Sequence, residues 1–200
     1  DAVSLPKLLS DAGYYTLLTG KWHVGESEGM RPHDIGFDEY YGYYPAQKEI
    51  SQRVDPRRFP GLVLNPERLA AFEAVGPSDA LTHGFKNGKT KELNRIESIE
   101  DMSKADQVLT DFTVERIKQL ASQEKPFFIE HAFMKVHADN FPHPDYAGKS
   151  EAKYPYKDSV REVDAHVGTI LKALREVGAL ENTFVFFTSD NGPQMDAWPD

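Results

Sequence analysis

Three times along this chain an amphipathic helical stripe runs into a short apolar strand and then into a polar loop, and this recurrence of plan constrains the fold more than any other feature. In the first unit Leu5, Leu8, Leu9 and Ala12 recur at helical spacing, with Ser4 able to cap the start and Gly13 to end it. Tyr14 to Thr19 then reads as a strand that stops at Gly20-Lys21-Trp22-His23. The second unit places Val108, Leu109, Phe112, Ile117, Leu120 and Ala121 on one stripe between about Ser103 and Ser122. It is followed by the strand Phe127 to Phe133 and the loop Met134 to Asn140. In the third, Val160, Val163, Val167, Ile170, Leu171, Leu174 and Val177 form the stripe, with Asp158 or Ser159 as candidate cap and Gly178 as stop. Thr183 to Thr188 is the strand and Ser189-Asp190-Asn191-Gly192 the loop. Alternating strands and helices predict an α/β fold, a mostly parallel sheet flanked by helices on both faces. Ligands in such sheets sit beyond the carboxyl ends of the strands, so the polar loops are expected to face a common site.

Composition sets the outer limits. A chain of 200 residues, 40% hydrophobic and 28% charged, suits one globular domain. Its longest apolar runs, such as Phe184 to Phe187, fall far short of the roughly 18 residues that span a bilayer. The opening Asp1-Ala2-Val3-Ser4 is not a signal peptide, so either a leader has been removed or the chain is a piece of something longer. A net charge of −9 argues against nucleic acid or an anionic membrane as partner, and any bound anion must be held by a local constellation. Cysteine is absent, which excludes disulfides, thiolate metal sites and a cysteine nucleophile within the chain. Tyr44 to Asp101 lacks clean periodicity and is rich in proline; it reads as an irregular insertion at about 44–101 with short helices, one candidate being Pro66 to Val75.

The loops carry the chemistry. Lys21 offers a compact cation and His23 a proton carrier, a pairing that suits a tetrahedral oxyanion. Taken alone, this loop is better read as a buried Trp22 with polar surface neighbours. The second loop holds Lys135, His137, Asp139, Asn140 and His143. Strand alternation puts His131 on one face with Phe133 and Lys135, as a core histidine supporting the site, and leaves His137 as the better functional candidate. In the third loop Asp190 and Asn191 form a hard-oxygen pair suited to Ca²⁺ or Mg²⁺ rather than to zinc; an ordinary Asn-Gly turn explains the same residues equally well. Together the loops suit binding and cleavage of a sulfate or phosphate ester by metal-assisted electrostatic stabilisation, but contain no evident nucleophile.

At these residues the chain resembles the type I sulfatases, the arylsulfatase family of the alkaline phosphatase superfamily. The matching segments are Leu5 to Tyr14 leading into Gly20-Lys21-Trp22-His23, then Gly36-Phe37-Asp38-Glu39-Tyr40-Tyr41-Gly42. Lys125-Pro126-Phe127-Phe128 with its histidine loop, Asp164-Ala165-His166-Val167-Gly168 and Phe187-Thr188-Ser189-Asp190-Asn191-Gly192 come next in order. The resemblance implies a partial alkaline phosphatase-like sulfatase domain, with residues 1–200 its central part. It implies that Lys21 and His23 hold the sulfate and the hydrate of a catalytic aldehyde, that His137 contacts the sulfate and protonates the leaving oxygen, and that Asp190 and Asn191 ligate Ca²⁺. Around His137 the family's usual proline is replaced by Val136 and Ala138-Asp139-Asn140.

The family's nucleophile is a formylglycine made from the Cys or Ser of a Cys/Ser-x-Pro-x-Arg motif. Ser4-Leu5-Pro6-Lys7-Leu8 begins like the serine version but has Leu8 where arginine belongs, so the nucleophile is expected upstream of this segment. The expectation is a parent sulfuric ester hydrolase acting on a small-molecule or carbohydrate sulfate ester and matured by a formylglycine-generating enzyme. The resemblance implies export to the periplasm or exterior, and an isolated segment that is inactive. A phosphoric or phosphonic ester hydrolase of the same superfamily, or a non-catalytic anion-binding relative, are the alternatives.

Overall fold

In a computed structural model, residues 3–45 and 80–192 are described. The candidate helix Pro66 to Val75 lies outside them. Helix α1 (Leu5–Asp11) starts as expected: Ser4 Oγ accepts from the Lys7 amide at 3.3 Å, and Pro6 sits in the first turn. Strand β1 (Tyr15–Lys21) comes next and becomes the hub of the sheet.

The strand order is β4-β3-β2-β1-β5. β2 (Glu39–Tyr43) and β5 (Phe127–Ala132) flank β1, both parallel to it, with Gly20 opposite Gly42 on one side and Ala132 on the other. β3 (Ala80–Phe85) and β4 (Thr90–Arg95) form an antiparallel hairpin that extends the sheet beyond β2. The sheet is therefore mixed. Its parallel part comes from the helix-linked units, and its antiparallel part from the end of the segment that sequence reading treats as irregular. The hairpin is faint in sequence because β4 is an edge strand of largely exposed polar residues. Asn87-Gly88 in its connection is the local signal, with the Lys89 amide donating to Asn87 Oδ1 at 3.0 Å.

The helices α2 (Ile99–Ala121) and α3 (Pro155–Glu176) pack together on one face. Met102, Ala105 and Leu109 of α2 cluster with Tyr43, Leu81, Ile96, Met134 and Phe141, while Ile117 meets Ala173, Leu174, Phe127 and Ile129. On the other face Leu18, Tyr40 and Phe128 are covered by Trp22, Ile35 and Phe37 from the segment between β1 and β2. α1 is tied to that segment through Ser4 Oγ to the Ile35 carbonyl and Ser10 Oγ to Asp38 Oδ1. At the amino end of the parallel strands, buried Glu39 accepts from Arg116 Nη2 at 2.7 Å, His83 Nε2 at 2.6 Å and the Tyr15 hydroxyl at 2.9 Å, which fixes the far end of α2 to the sheet.

Two expectations are corrected. Neither Asp158 nor Ser159 caps α3, whose N-cap is Tyr154; the Asp158 carboxylate reaches back to accept from the amides of Gly148 and Ser150, both at 2.7 Å. The segment 183–188 joins no ladder, and Phe184, Phe186 and Phe187 are 90%, 73% and 71% exposed. A uniformly apolar strand needs a pairing edge and cover on both faces, and the described residues provide neither for it.

The close approach at Gly20 makes a direct prediction. Gly20 has φ +114°, and a Cβ there would stand 1.8 Å from the Ala132 carbonyl oxygen, whereas one on Gly88, at φ +77°, would meet nothing within 4 Å. In the complete protein Gly20→Ala should lower stability by more than ~2 kcal/mol and Gly88→Ala by about 1 kcal/mol, read from urea unfolding. Equal effects would contradict the packing described.

Candidate functional site

Lys21 ends β1, and backbone hydrogen bonds hold the residues after it. The Trp22 amide donates to the Tyr43 carbonyl at 2.9 Å and the His23 amide to the Tyr44 carbonyl at 2.7 Å, so the connection to β2 continues past the strand end. Trp22 anchors the turn: its Nε1 donates to the carbonyls of Gly25 and Met30 at 2.9 and 3.0 Å, and its ring meets Phe37 edge-on. Trp22 is half-buried rather than buried, and its indole fixes the backbone from which Lys21 and His23 project. His23 is exposed and has φ 45°, a left-handed conformation shared among non-glycine described residues only by Lys153. Such a conformation costs of order 1–3 kcal/mol and persists where the surroundings impose it, here the two flanking amide bonds.

The third loop comes to the first. Lys21 Nζ lies 3.9 Å from Asp190 Oδ2. With Asp190 73% exposed, this pair contributes little stability; its information is positional. Asn191 is exposed beside it, its carbonyl accepting from Ser189 Oγ at 2.7 Å.

The second loop leaves β5 at the same edge, since Gly20 is level with Ala132. His137 is half-buried, with Nδ1 against the Ala138 carbonyl. Of the residues singled out from sequence, Lys21 and Asp190 are joined directly; His23 and His137 share the edge through the strands that carry them. His131 is half-buried, its Nδ1 2.8 Å from Thr113 Oγ1. Burial, reinforced by the neighbouring His166, pushes its pKa down to about 3.

Sequence reading does not reveal the buried ionic group beneath this loop. Asp106 of α2 and Glu162 of α3, both fully buried, converge on Lys135, whose Nζ lies 2.7 Å from Glu162 Oε1 and 3.6 Å from Asp106 Oδ2. The available signal is a carboxylate on each apolar stripe, Asp106 between Met102 and Leu109 and Glu162 beside Val163. Burial raises the pKa of Glu162, yet nearby His166, Lys135 and the His143 amide more than offset this and hold it below its ordinary value.

Asp190 and Asn191 have the right chemistry for a hard cation, and the adjacent Lys21 shows that the carboxylate accepts a positive neighbour. They would supply two side-chain ligands, where Ca²⁺ takes about six to eight oxygens. Among the described residues no group of three or more His, Asp or Glu side chains gathers to complete such a site. The pair fits as part of a cation site.

These features define an α/β protein with polar loops at the carboxyl edge of its sheet, and comparison with known proteins specifies the family. The chain belongs to the sulfatase family, whose profile matches residues 1–198. It is 34% identical to N-acetylgalactosamine-6-sulfatase of Canis lupus familiaris, over 98% of this chain and 34% of that protein. It is 29% identical to arylsulfatase A of Homo sapiens, over 97% of this chain and 36% of that protein. The crystal structure of PsFucS1 sulfatase from Pseudoalteromonas sp. superposes with a TM-score of 0.91 at 46% identity, covering 98% of this chain and 39% of that one. The chain thus spans about a third of the length of the curated relatives it matches. Among the described residues no helix is long and apolar enough to cross a membrane.

His131 makes the pH dependence testable. Its folded pKa of about 3 lies below the ordinary 6.5 of the unfolded chain, so as pH falls through that window the unfolded chain takes up a proton that the folded one refuses. Stability should be insensitive to this group above pH 6.5 and decline below it. Unfolding free energies of His131→Asn across the same window should fall less steeply than those of the wild type. Parallel slopes would show that His131 does not carry this dependence.

Proposed function

We propose that the complete protein is a sulfuric ester hydrolase whose sulfate site is assembled from the loops after β1, after β5 and around Asp190. The observation that carries this reading is the 3.9 Å approach of Lys21 to Asp190 at the carboxyl edge of the sheet, within a chain of the sulfatase family. Its chemistry derives from the side chains. Lys21 is a compact cation that neutralises a sulfate oxygen and holds the tetrahedral anion beside the edge. His23 orients the attacking group or takes its proton. His137 donates a proton to the ester oxygen, so that the alcohol leaves neutral rather than as an alkoxide. With water as the second reactant, the products are the alcohol and hydrogen sulfate.

Asp190 and Asn191 would hold Ca²⁺, in preference to Mg²⁺, together with ligands from outside the described residues. When bound, that ion supplies positive charge to the sulfate oxygens. The nucleophile is expected as a formylglycine outside this segment, made by a formylglycine-generating enzyme, so the isolated segment should be inactive. A carbohydrate sulfate is the favoured substrate class over a simple aryl sulfate, supported by the likeness to N-acetylgalactosamine-6-sulfatase. Export to the periplasm or exterior accompanies this reading.

The complete protein, produced with a formylglycine-generating enzyme, should hydrolyse aryl or sugar sulfates faster than the matched phosphates. Lys21→Ala should reduce kcat/KM by roughly 100-fold or more. Preference for the phosphate esters, or full activity in the variant, would overturn the assignment.

A further inference from the structure

We propose that Lys135, Asp106 and Glu162 form a buried positioning triad that sets where His137 points, and so controls protonation of the leaving group. This rests on His137 being the proton donor of the proposed reaction. Both ends of its loop are held by these carboxylates. At the start, Asp106 accepts from the Met134 amide at 2.8 Å and the Lys135 amide at 3.1 Å. At the far end, Glu162 Oε2 accepts from the His143 amide at 2.8 Å. Lys135 joins the two clamps, donating from Nζ to Glu162 Oε1 at 2.7 Å and to the Ser103 carbonyl of α2 at 2.9 Å. The path from residue 134 to residue 143 is thereby referred to two different helices, with His137 in between.

Apolar packing cannot do this alone. Met134 and Phe141 are buried and help hold the loop down, but hydrophobic burial is non-directional and leaves the loop free to shift along the surface. Charge-assisted hydrogen bonds from completely buried carboxylates are directional. A buried ionic group contributes little net stability once desolvation is counted, so its effect here is on geometry. His166 lines the same group with Nε2 3.5 Å from Glu162 Oε1, and that nitrogen has no hydrogen-bond partner among the described residues. The triad thus has a further neighbour able to reorganise when it is perturbed.

The test uses the complete, formylglycine-bearing protein with two sulfate esters, one with an acidic phenol as leaving group and one with a sugar alcohol. Protonation by His137 matters for the alcohol and little for the phenol. Glu162→Gln preserves volume and should fold; it should lower kcat on the sugar sulfate about 10- to 100-fold, with KM changed less than about 3-fold and the phenol ester nearly unaffected. Lys135→Met should show the same pattern, and Glu162→Asp should restore part of the loss. His137→Ala serves as reference. If it shows the leaving-group dependence and Glu162→Gln does not, the triad inference is wrong while the site reading stands. If His137→Ala shows no such dependence, the site reading itself fails. Equal losses on both esters in Glu162→Gln, or a loss confined to KM, would mean that the triad only supports the fold.

Discussion

Strand β1 passes between its neighbours with a glycine at the closest point. A Cβ on Gly20 would collide with the Ala132 carbonyl, and one on Gly42 would stand 1.8 Å from the Gly20 carbonyl. Three backbones are therefore in register at one level, just before the loops begin. Lys21 comes directly after this level on β1, and the histidine loop comes after it on β5. Because both flanking strands run parallel to β1, their carboxyl ends emerge on one edge, and the proposed chemistry depends on that.

From this edge outward, control passes from backbone ladders to side chains. The first loop is fixed by an indole that bonds two carbonyls, and the second by two carboxylates buried on different helices. Each device replaces hydrogen bonds that a strand would have supplied, so a non-repeating backbone can be held in one conformation. The apolar clusters beneath supply most of the attraction, while the polar groups select the geometry. The opposite end of the sheet uses the same arrangement, with Glu39 receiving Arg116, His83 and Tyr15, so that α2 is pinned at two points along its length through buried carboxylates.

Much of this is legible in the sequence. The stripe around Leu109 and Ile117 and the one through Leu174 correspond to α2 and α3, and Tyr14 to Thr19 and Phe127 to Phe133 correspond to β1 and β5 within a residue or two. Periodicity reports burial, and these elements are buried on one side. β4 escapes sequence reading for the converse reason, since an edge strand with solvent on it carries little apolar pattern, whereas β3 is buried but its Ala80-Leu81-Thr82-His83-Gly84-Phe85 carries no continuous apolar run. Thr183 to Thr188 has the composition of a strand, but a strand is a pairing, and among the described residues the pairing edge is not supplied. At the candidate site, single residues such as Lys21 and His137 can be named from loop position. The Lys135 triad cannot, because it depends on two carboxylates far apart in sequence, Asp106 and Glu162, meeting over one loop.

A crystal structure of the complete protein with inorganic sulfate bound would test the shared carboxyl edge as an anion site without any assumption about substrate. One sulfate is expected there, with Lys21 Nζ and a His137 ring nitrogen each about 3 Å from its oxygens. A sulfate held elsewhere in the fold, or a His137 ring turned away from an ion bound at Lys21, would contradict the proposed site.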